Sequence, residues 1–392
     1  MEYVLHPKSE IDARVKKLQS LMGDLTGIMI FESIDLGYFS GTSQDGLIYI
    51  PRDGQPVVLI RKSFERAGEE SPLDVQPLKS LKSLKKDLGL PDKADIGLEM
   101  DVLPCNNYAR LRRALGDGAS FIDISEMIKH VRSVKSDFEI NLIREAARML
   151  DVGISSVQDH LREGIREIEL ATIIESTMRV IGHQGKVVFR RFNHKTMPVG
   201  HLMSGENATI PSFVASPTGG KGTSLFLPQG PGFRKIKRGE PVSVDFAGCY
   251  NGYLADETRI FCLGKLPTML EDAHLAALQI ENVLAGELRP GRTGREIFDL
   301  SEEEGAKLGY QDFLGGPLGR KAGFVGHGIG LELDEYPVIG PVDHKILENM
   351  TIAIEPKMIF PGIGMVGIED TFLTGQEKVE RLTQLPQEIW QV

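Results

Sequence analysis

Cysteine is scarce. Three residues in 392, Cys105, Cys249 and Cys262, lie without CxxC spacing, which excludes a disulfide framework and a thiolate zinc site. Long apolar runs are missing as well. No stretch approaches the ~18 residues that span a bilayer, so no membrane partner is expected. The segment Met1 to Lys17 is charged throughout, without the apolar core of a signal peptide. Positive charge is in deficit, with 45 Lys+Arg against 55 Asp+Glu and a net charge of −10. Such a field repels phosphate backbones, so nucleic acid is not an expected partner. The cytoplasm is the default address. Aromatics are few at 7%, yet 41% hydrophobic and 26% charged residues make an ordinary soluble globular balance, which excludes a disordered or fibrous chain. Glycine, by contrast, is plentiful. Its 43 residues exceed the usual ~7% and predict many tight turns. At roughly 150 residues per domain, the length implies two to three domains.

Residues 27–31, 46–50 and 57–60 are short, β-branched-rich apolar runs separated by turn residues such as Pro51-Arg52-Asp53-Gly54, and they read as buried strands. Helical stretches, Ile11–Met22 and Tyr108–Leu115, flank them. Together they predict a small α/β domain ending near residue 134. Ser136 and Glu139 then form a capping box. Behind it Ile140, Ile143, Ala147, Leu150, Ile154 and Val157 repeat at helical spacing and open a second domain. Inside that domain residues 161–185 and 288–312 share seven identities at a constant offset of 127. That repeat implies two α+β halves related by pseudo-twofold symmetry, with a site at the seam. Residues 214–235, rich in Gly and Pro, read either as a functional loop or as a disordered insertion.

The most informative stretch runs from Val242 to Phe261. Asn251-Gly252 is a strong signal for a type I′ hairpin turn. A two-residue turn there places Asp245 opposite Thr258, with Asp256 diagonal on the same face, and sends Val244 and Phe246 into a core. Buried carboxylates are costly unless paired or metal-bound. A second hairpin, 351–355 with 365–371 around Phe360-Pro361-Gly362-Ile363-Gly364, sets Glu355 against Glu369 with Ile352, Ile354 and Ile368 on the other face. Two opposed glutamates repel unless a cation lies between them. His327, fenced by glycines in Gly326-His327-Gly328-Ile329-Gly330, supplies a nitrogen ligand. Four carboxylates and one imidazole suit a pair of divalent ions. Such a pair acidifies a bridging water and clamps an attacked carbonyl.

The order Asp245, Asp256, His327, Glu355, Glu369, in the phrases VDFAGCYNGYLADETR, GHGIGLE, IEP and GIEDT, resembles the pita-bread metallopeptidases. These include Xaa-Pro dipeptidases (prolidases), aminopeptidase P and methionine aminopeptidases. The resemblance implies an α+β architecture: a small α/β creatinase-type N-terminal domain over 1–134, then a duplicated pita-bread catalytic domain over 135–392. It implies a peptide substrate, a homodimer, and two divalent ions drawn from Mn, Co, Zn or Fe. Asp245 would chelate one ion, Asp256 and Glu369 would bridge both, and His327 and Glu355 would hold the second. Glu355 would also be the catalytic base that deprotonates the bridging water.

The surroundings depart from the family pattern. Ser212 stands where relatives carry a His after the Ser-Gly-x-Asn segment, Asp334 replaces a second His, and Gly367 replaces an Arg. His201 is a candidate substitute for one lost His. His201, Ser212 and Asp334 are therefore the candidate substrate contacts, and a strict proline requirement is in question. Negative charge at Asp334 and the missing Arg favour longer or C-terminally blocked peptides over free dipeptides. The competing readings are a non-catalytic metal-binding or partner-binding protein on the same fold, and metal-free C–N hydrolysis of the creatinase kind.

Overall fold

A computed structural model describes residues 3–192, 196–214, 216–316 and 321–392. Ala215, inside the Gly/Pro-rich loop, lies outside them. The chain divides into two units, residues 1–132 with 191–193, and residues 133–190 with 194–392.

The first unit is built on six strands: β1 (Gly27–Ile30), β2 (Gly46–Pro51), β3 (Val57–Ile60), β4 (Asp74–Pro77), β5 (Ala94–Leu98) and β6 (Ala119–Asp123). They form a mixed sheet in the order β4-β3-β2-β1-β5-β6. The three expected apolar runs are its β1, β2 and β3. The helix expected at Ile11–Met22 spans Lys8–Gln19, entered at Pro7, and buries Ile11, Val15 and Leu18. The one expected at Tyr108–Leu115 begins earlier, at Cys105 after Pro104, because a proline at the cap already holds a helix-compatible entry. Just past β5, the buried Glu99 accepts the backbone N–H groups of Phe31 and Glu32. Burial pushes its carboxyl up to about 7.

The second unit opens with the helix Asp137–Ser155. Ser136 Oγ accepts the Glu139 N–H at 3.2 Å, and Glu139 returns the bond to the Ser136 N–H at 3.0 Å. The apolar stripe is buried through Ile154. The helix then breaks at Ser156, and Val157 starts a separate short turn. A Cβ on Gly248 would stand 2.1 Å from the Ala146 carbonyl, so glycine is what lets this helix rest on the strand beneath it.

The repeat has a structural counterpart. Helices Glu167–Val180 and Gly294–Lys307 start and end 127 residues apart, and Glu169 and Glu296 each close a capping box at their third position.

A small ribbon joins β7 (Val187–Val188) and β8 (Thr196–Met197). The remaining strands are β9 (Gly200–Ser204), β10 (Val242–Tyr250), β11 (Tyr253–Cys262), β12 (Gly326–Gly328), β13 (Glu335–Ile339), β14 (Thr351–Ile354), β15 (Lys357–Phe360), β16 (Gly364–Gly367), β17 (Asp370–Thr374), β18 (Val379–Arg381) and β19 (Trp390–Gln391). One sheet runs β19-β11-β10-β9, a second β13-β12-β14-β17-β18, and β15 pairs with β16. Asn251 and Gly252 both have positive φ, 47° and 90°, and the register sets Asp245 against Thr258. Val244 and Phe246 enter the core. In the second hairpin Lys357 pairs Gly367 and Ile354 pairs Asp370. Glu355 and Glu369 fall between these pairs in the same register, where the two-stranded ribbon passes into the larger sheet. Ile352, Ile354 and Ile368 lie in the core behind them.

Candidate metal centre

Asp256, His327 and Glu369 each offer an atom within 4.8 Å of the others. Each arrives on a different element: Asp256 from mid-β11, His327 from β12, and Glu369 from the residue entering β17. The β11 backbone is locked here. The Asp256 N–H donates to Thr371 Oγ1, and that hydroxyl donates back to the Asp256 carbonyl, both at 2.9 Å. Thr258 and Glu369 bridge backbone to backbone, and Thr258 Oγ1 also donates to Glu369 Oε2 at 2.8 Å. His327 has Nδ1 at 3.1 Å from the Gly328 carbonyl, which leaves Nε2 facing inward, 3.6 Å from Glu355 Oε1 and 3.9 Å from Glu369 Oε1.

One member of the cluster escaped the sequence reading. Lys357 Nζ lies 2.8 Å from Asp245 Oδ2, 2.8 Å from Glu355 Oε2 and 2.9 Å from Glu369 Oε2. It lies two residues beyond Glu355, and residues at that spacing share one face of extended chain. A lysine in the otherwise apolar run Met358-Ile359-Phe360, opposite Gly367, was the available signal. A Cβ at Gly367 would stand 2.8 Å from Lys357 Cα and 2.6 Å from the Pro356 carbonyl. Gly367, where the resemblance implied an Arg, and Lys357 are thus two sides of one backbone pair.

Burial raises the pKa of Asp256 well above the usual carboxylate range, with Glu369 and Asp245 adding to it. Glu369 is pushed up to about 8 by burial, against the pull of Lys357. Glu355 is raised by the same cause, again opposed by Lys357. For Lys357 burial works against the charge, but the three carboxylates outweigh it and hold its pKa well above the ordinary value.

The donor set fits one divalent ion. Glu369 Oε1 is buried and accepts no hydrogen bond, and it faces His327 Nε2, as a waiting ligand atom would. The second of the two expected ions, the one on Asp245, meets a different situation, because the Lys357 ammonium already contacts that carboxylate.

The expected substrate contacts separate. His201, on β9, pairs directly across from Asp245. Burial lowers its pKa, with Asp245 pulling the other way and Lys357 adding to the fall. Ser212 instead donates its hydroxyl to the Pro228 carbonyl and ties the Gly/Pro-rich loop to the segment that precedes it. That loop is further pinned by Glu167, which accepts from Ser204, Asn207 and the Gly232 N–H. Asp334 lies in the turn between β12 and β13. Its neighbour Glu335 is committed to Lys135 at 2.8 Å and to the Leu331 N–H at 2.9 Å.

Comparisons with known proteins agree with this geometry. The family model "Metallopeptidase family M24" matches residues 141–376, and "Creatinase/Prolidase N-terminal domain" matches residues 14–134. An Xaa-Pro dipeptidase of Pyrococcus furiosus is 28% identical over 381 residues, covering 96% of this chain and 99% of that protein. A solved prolidase from Pyrococcus horikoshii superposes with TM-score 0.80 at 25% identity, covering 95% of this chain and 99% of its own. An X-Pro aminopeptidase from Thermotoga maritima shares the fold, with TM-score 0.81 at 24% identity, over 96% of this chain and 100% of its own. With the family model spanning more than half its length and the fold matched nearly end to end, the chain belongs to metallopeptidase family M24, with a creatinase/prolidase-type N-terminal domain.

Proposed function

We propose that the protein is a metal-dependent peptide hydrolase of the Xaa-Pro dipeptidase or aminopeptidase type. The observation that carries this reading is the convergence of Asp256, His327 and Glu369 within ligand reach of one another, with Glu355 beside them. Relatives that cover the chain almost end to end, and that bear the name Xaa-Pro dipeptidase, support it. A divalent ion held by those three residues supplies Lewis-acid polarisation of the scissile carbonyl and lowers the pKa of water.

The chain's own residues do the rest. Glu355 Oε2 is fixed by Lys357 at 2.8 Å, so Oε1 keeps one orientation, toward His327. From there Glu355 takes the proton of the attacking water and returns it to the leaving amine. His201 borders this space from β9 and offers a ring to the substrate. Asp245 carries a charge that Lys357 balances. The metal is one of Mn, Co, Zn or Fe, since mixed carboxylate and imidazole ligation suits each and availability decides. We further propose a homodimer in the cytoplasm, with domain limits at 1–134 and 135–392.

The test is a digest of Xaa-Pro dipeptides, longer peptides with proline second, and proline-free peptides by the full-length protein loaded with Mn or Co. Release of the N-terminal residue from at least one class is expected, together with its abolition in Asp256→Ala. No turnover on any class would leave the non-catalytic binding protein as the reading.

A further inference from the structure

We propose that the Lys357 ammonium takes the place of one of the two metal ions, so that this centre holds a single divalent ion on Asp256, His327 and Glu369. The inference rests on the metallopeptidase reading of the site and concerns how its charge is balanced.

A lysine ammonium has three N–H donors and no acceptor. Here three carboxylate oxygens, from Asp245, Glu355 and Glu369, stand 2.8, 2.8 and 2.9 Å away. Every donor therefore has a carboxylate, and the head group is used up. Divalent ions bind carboxylate oxygens at about 2.0–2.2 Å. An ion chelated by Asp245 and Glu369 would have to share both carboxylates with Nζ, which already holds Asp245 Oδ2 and Glu369 Oε2.

Glu369 and Glu355 each give one oxygen to the ammonium. Glu369 gives Oε2 to Lys357 and keeps Oε1 buried without a donor, 3.9 Å from His327 Nε2. Glu355 likewise gives Oε2 to Lys357 and turns Oε1 toward His327 at 3.6 Å. Each carboxylate thus has one oxygen for the ammonium; the other is a ligand atom for the ion in Glu369 and is left for the proton of water in Glu355. The backbone is shaped for this arrangement. Lys357 pairs across from Gly367, where any side chain would press on Lys357 Cα and Cγ and on the Pro356 carbonyl.

The experiment is metal counting on the full-length protein. Protein is incubated with excess Mn²⁺, freed of unbound metal by gel filtration, and its Mn-to-chain ratio measured by elemental mass spectrometry, with electron paramagnetic resonance on the same sample. About one ion per chain is expected, with the hyperfine pattern of an isolated ion. About two ions per chain, or an exchange-coupled pair, would overturn the proposal, and so would none. Lys357→Ala is expected to raise the ratio toward two, and an unchanged ratio in folded Lys357→Ala counts against it. Asp245→Asn in the parent background gives a second reading independent of that variant's folding. It should keep its single ion, and loss of the ion would overturn the assignment. The outcomes separate from those for the activity. A protein that cleaves peptides with two ions keeps the function and loses this inference, whereas one ion without turnover does the reverse.

Discussion

Two acidic clusters lie back to back on the same strands, and they are closed in different ways. Asp256 and Glu369 belong to the side of His327 and Lys357, while their chain neighbours Glu257 and Asp370 face Arg259. The Arg259 side is structural. Its guanidinium is fully buried and reaches Glu257 at 2.7 Å and Asp370 at 2.6 Å. It also donates to the carbonyls of Thr258, Glu369, Leu385 and Pro386. A planar fork of five donors thus ties side chains and backbone into one frame. The Lys357 side grips carboxylates only. Both sides keep a buried carboxylate oxygen without a hydrogen bond, Glu257 Oε2 beside the arginine and Glu369 Oε1 beside the lysine, and it is the latter that faces His327 Nε2.

The sharpest way to break this contrast is to remove each cation. Arg259→Met leaves Glu257 and Asp370 buried without their partner and is expected to cost about 3–5 kcal/mol of stability, read as a fall in the urea midpoint that added Mn²⁺ does not restore. Lys357→Ala should also lower the midpoint of the metal-free protein, but Mn²⁺ should recover it. A metal-rescued Arg259→Met, or a Lys357→Ala indifferent to metal, would erase the distinction.

Glu355→Gln tests the open side alone. It should lower kcat by about 10²–10⁴-fold while the Mn content stays at the parent value, because Asp256, His327 and Glu369 remain.

A third buried acid, Glu99, is held by the backbone N–H groups of Phe31 and Glu32. Burial raises it to about 7 from 4.5, so the folded state holds its proton longer than the unfolded chain. Its contribution to stability is complete below about pH 4.5 and is lost as pH rises through about 7, a change of roughly 3 kcal/mol at 1.36 kcal/mol per unit. Glu99→Gln should flatten that slope, which hydrogen exchange of the β5 amides between pH 5 and 8 would show. A parallel slope in the variant would assign the pH dependence elsewhere.

The smallest effect concerns Asp334. A dipeptide amide should be cleaved a few-fold better than the free acid, and Asp334→His should narrow the gap. Preference for the free acid would remove Asp334 from the substrate's surroundings.

Much of this was legible from local rules. Asn251-Gly252 dictated a turn with positive φ, and the turn dictated that Asp245 meets Thr258. The glycine-centred hairpin likewise gave the register that brings Glu355 and Glu369 together. The 127-residue offset held to the residue in the two helices that carry it. What escaped was whatever depends on partners distant in sequence. Arg259 finds Asp370, Leu385 and Pro386 more than a hundred residues away, and no periodicity announces them. Lys357 was visible as a residue but not as a ligand, since its role needs Asp245 from another hairpin. Ser212 was matched by its position in a motif, yet its hydroxyl is spent on Pro228.

The acid doublets Asp256-Glu257 and Glu369-Asp370 have a consequence for errors of frame. Slipping either strand by one residue exchanges its two faces, yet a doublet presents a carboxylate whichever way it is read. Acidity alone therefore cannot tell the correct pairing from its neighbour. The discrimination falls to singletons: Lys357, His327 and Arg259 have no like-charged neighbour to stand in for them, and the hairpin at Asn251-Gly252 counts the residues. Lengthening that turn by one residue should yield a chain that still collapses around buried acids and still looks folded by its helices, with the ion's pocket and the arginine's socket traded.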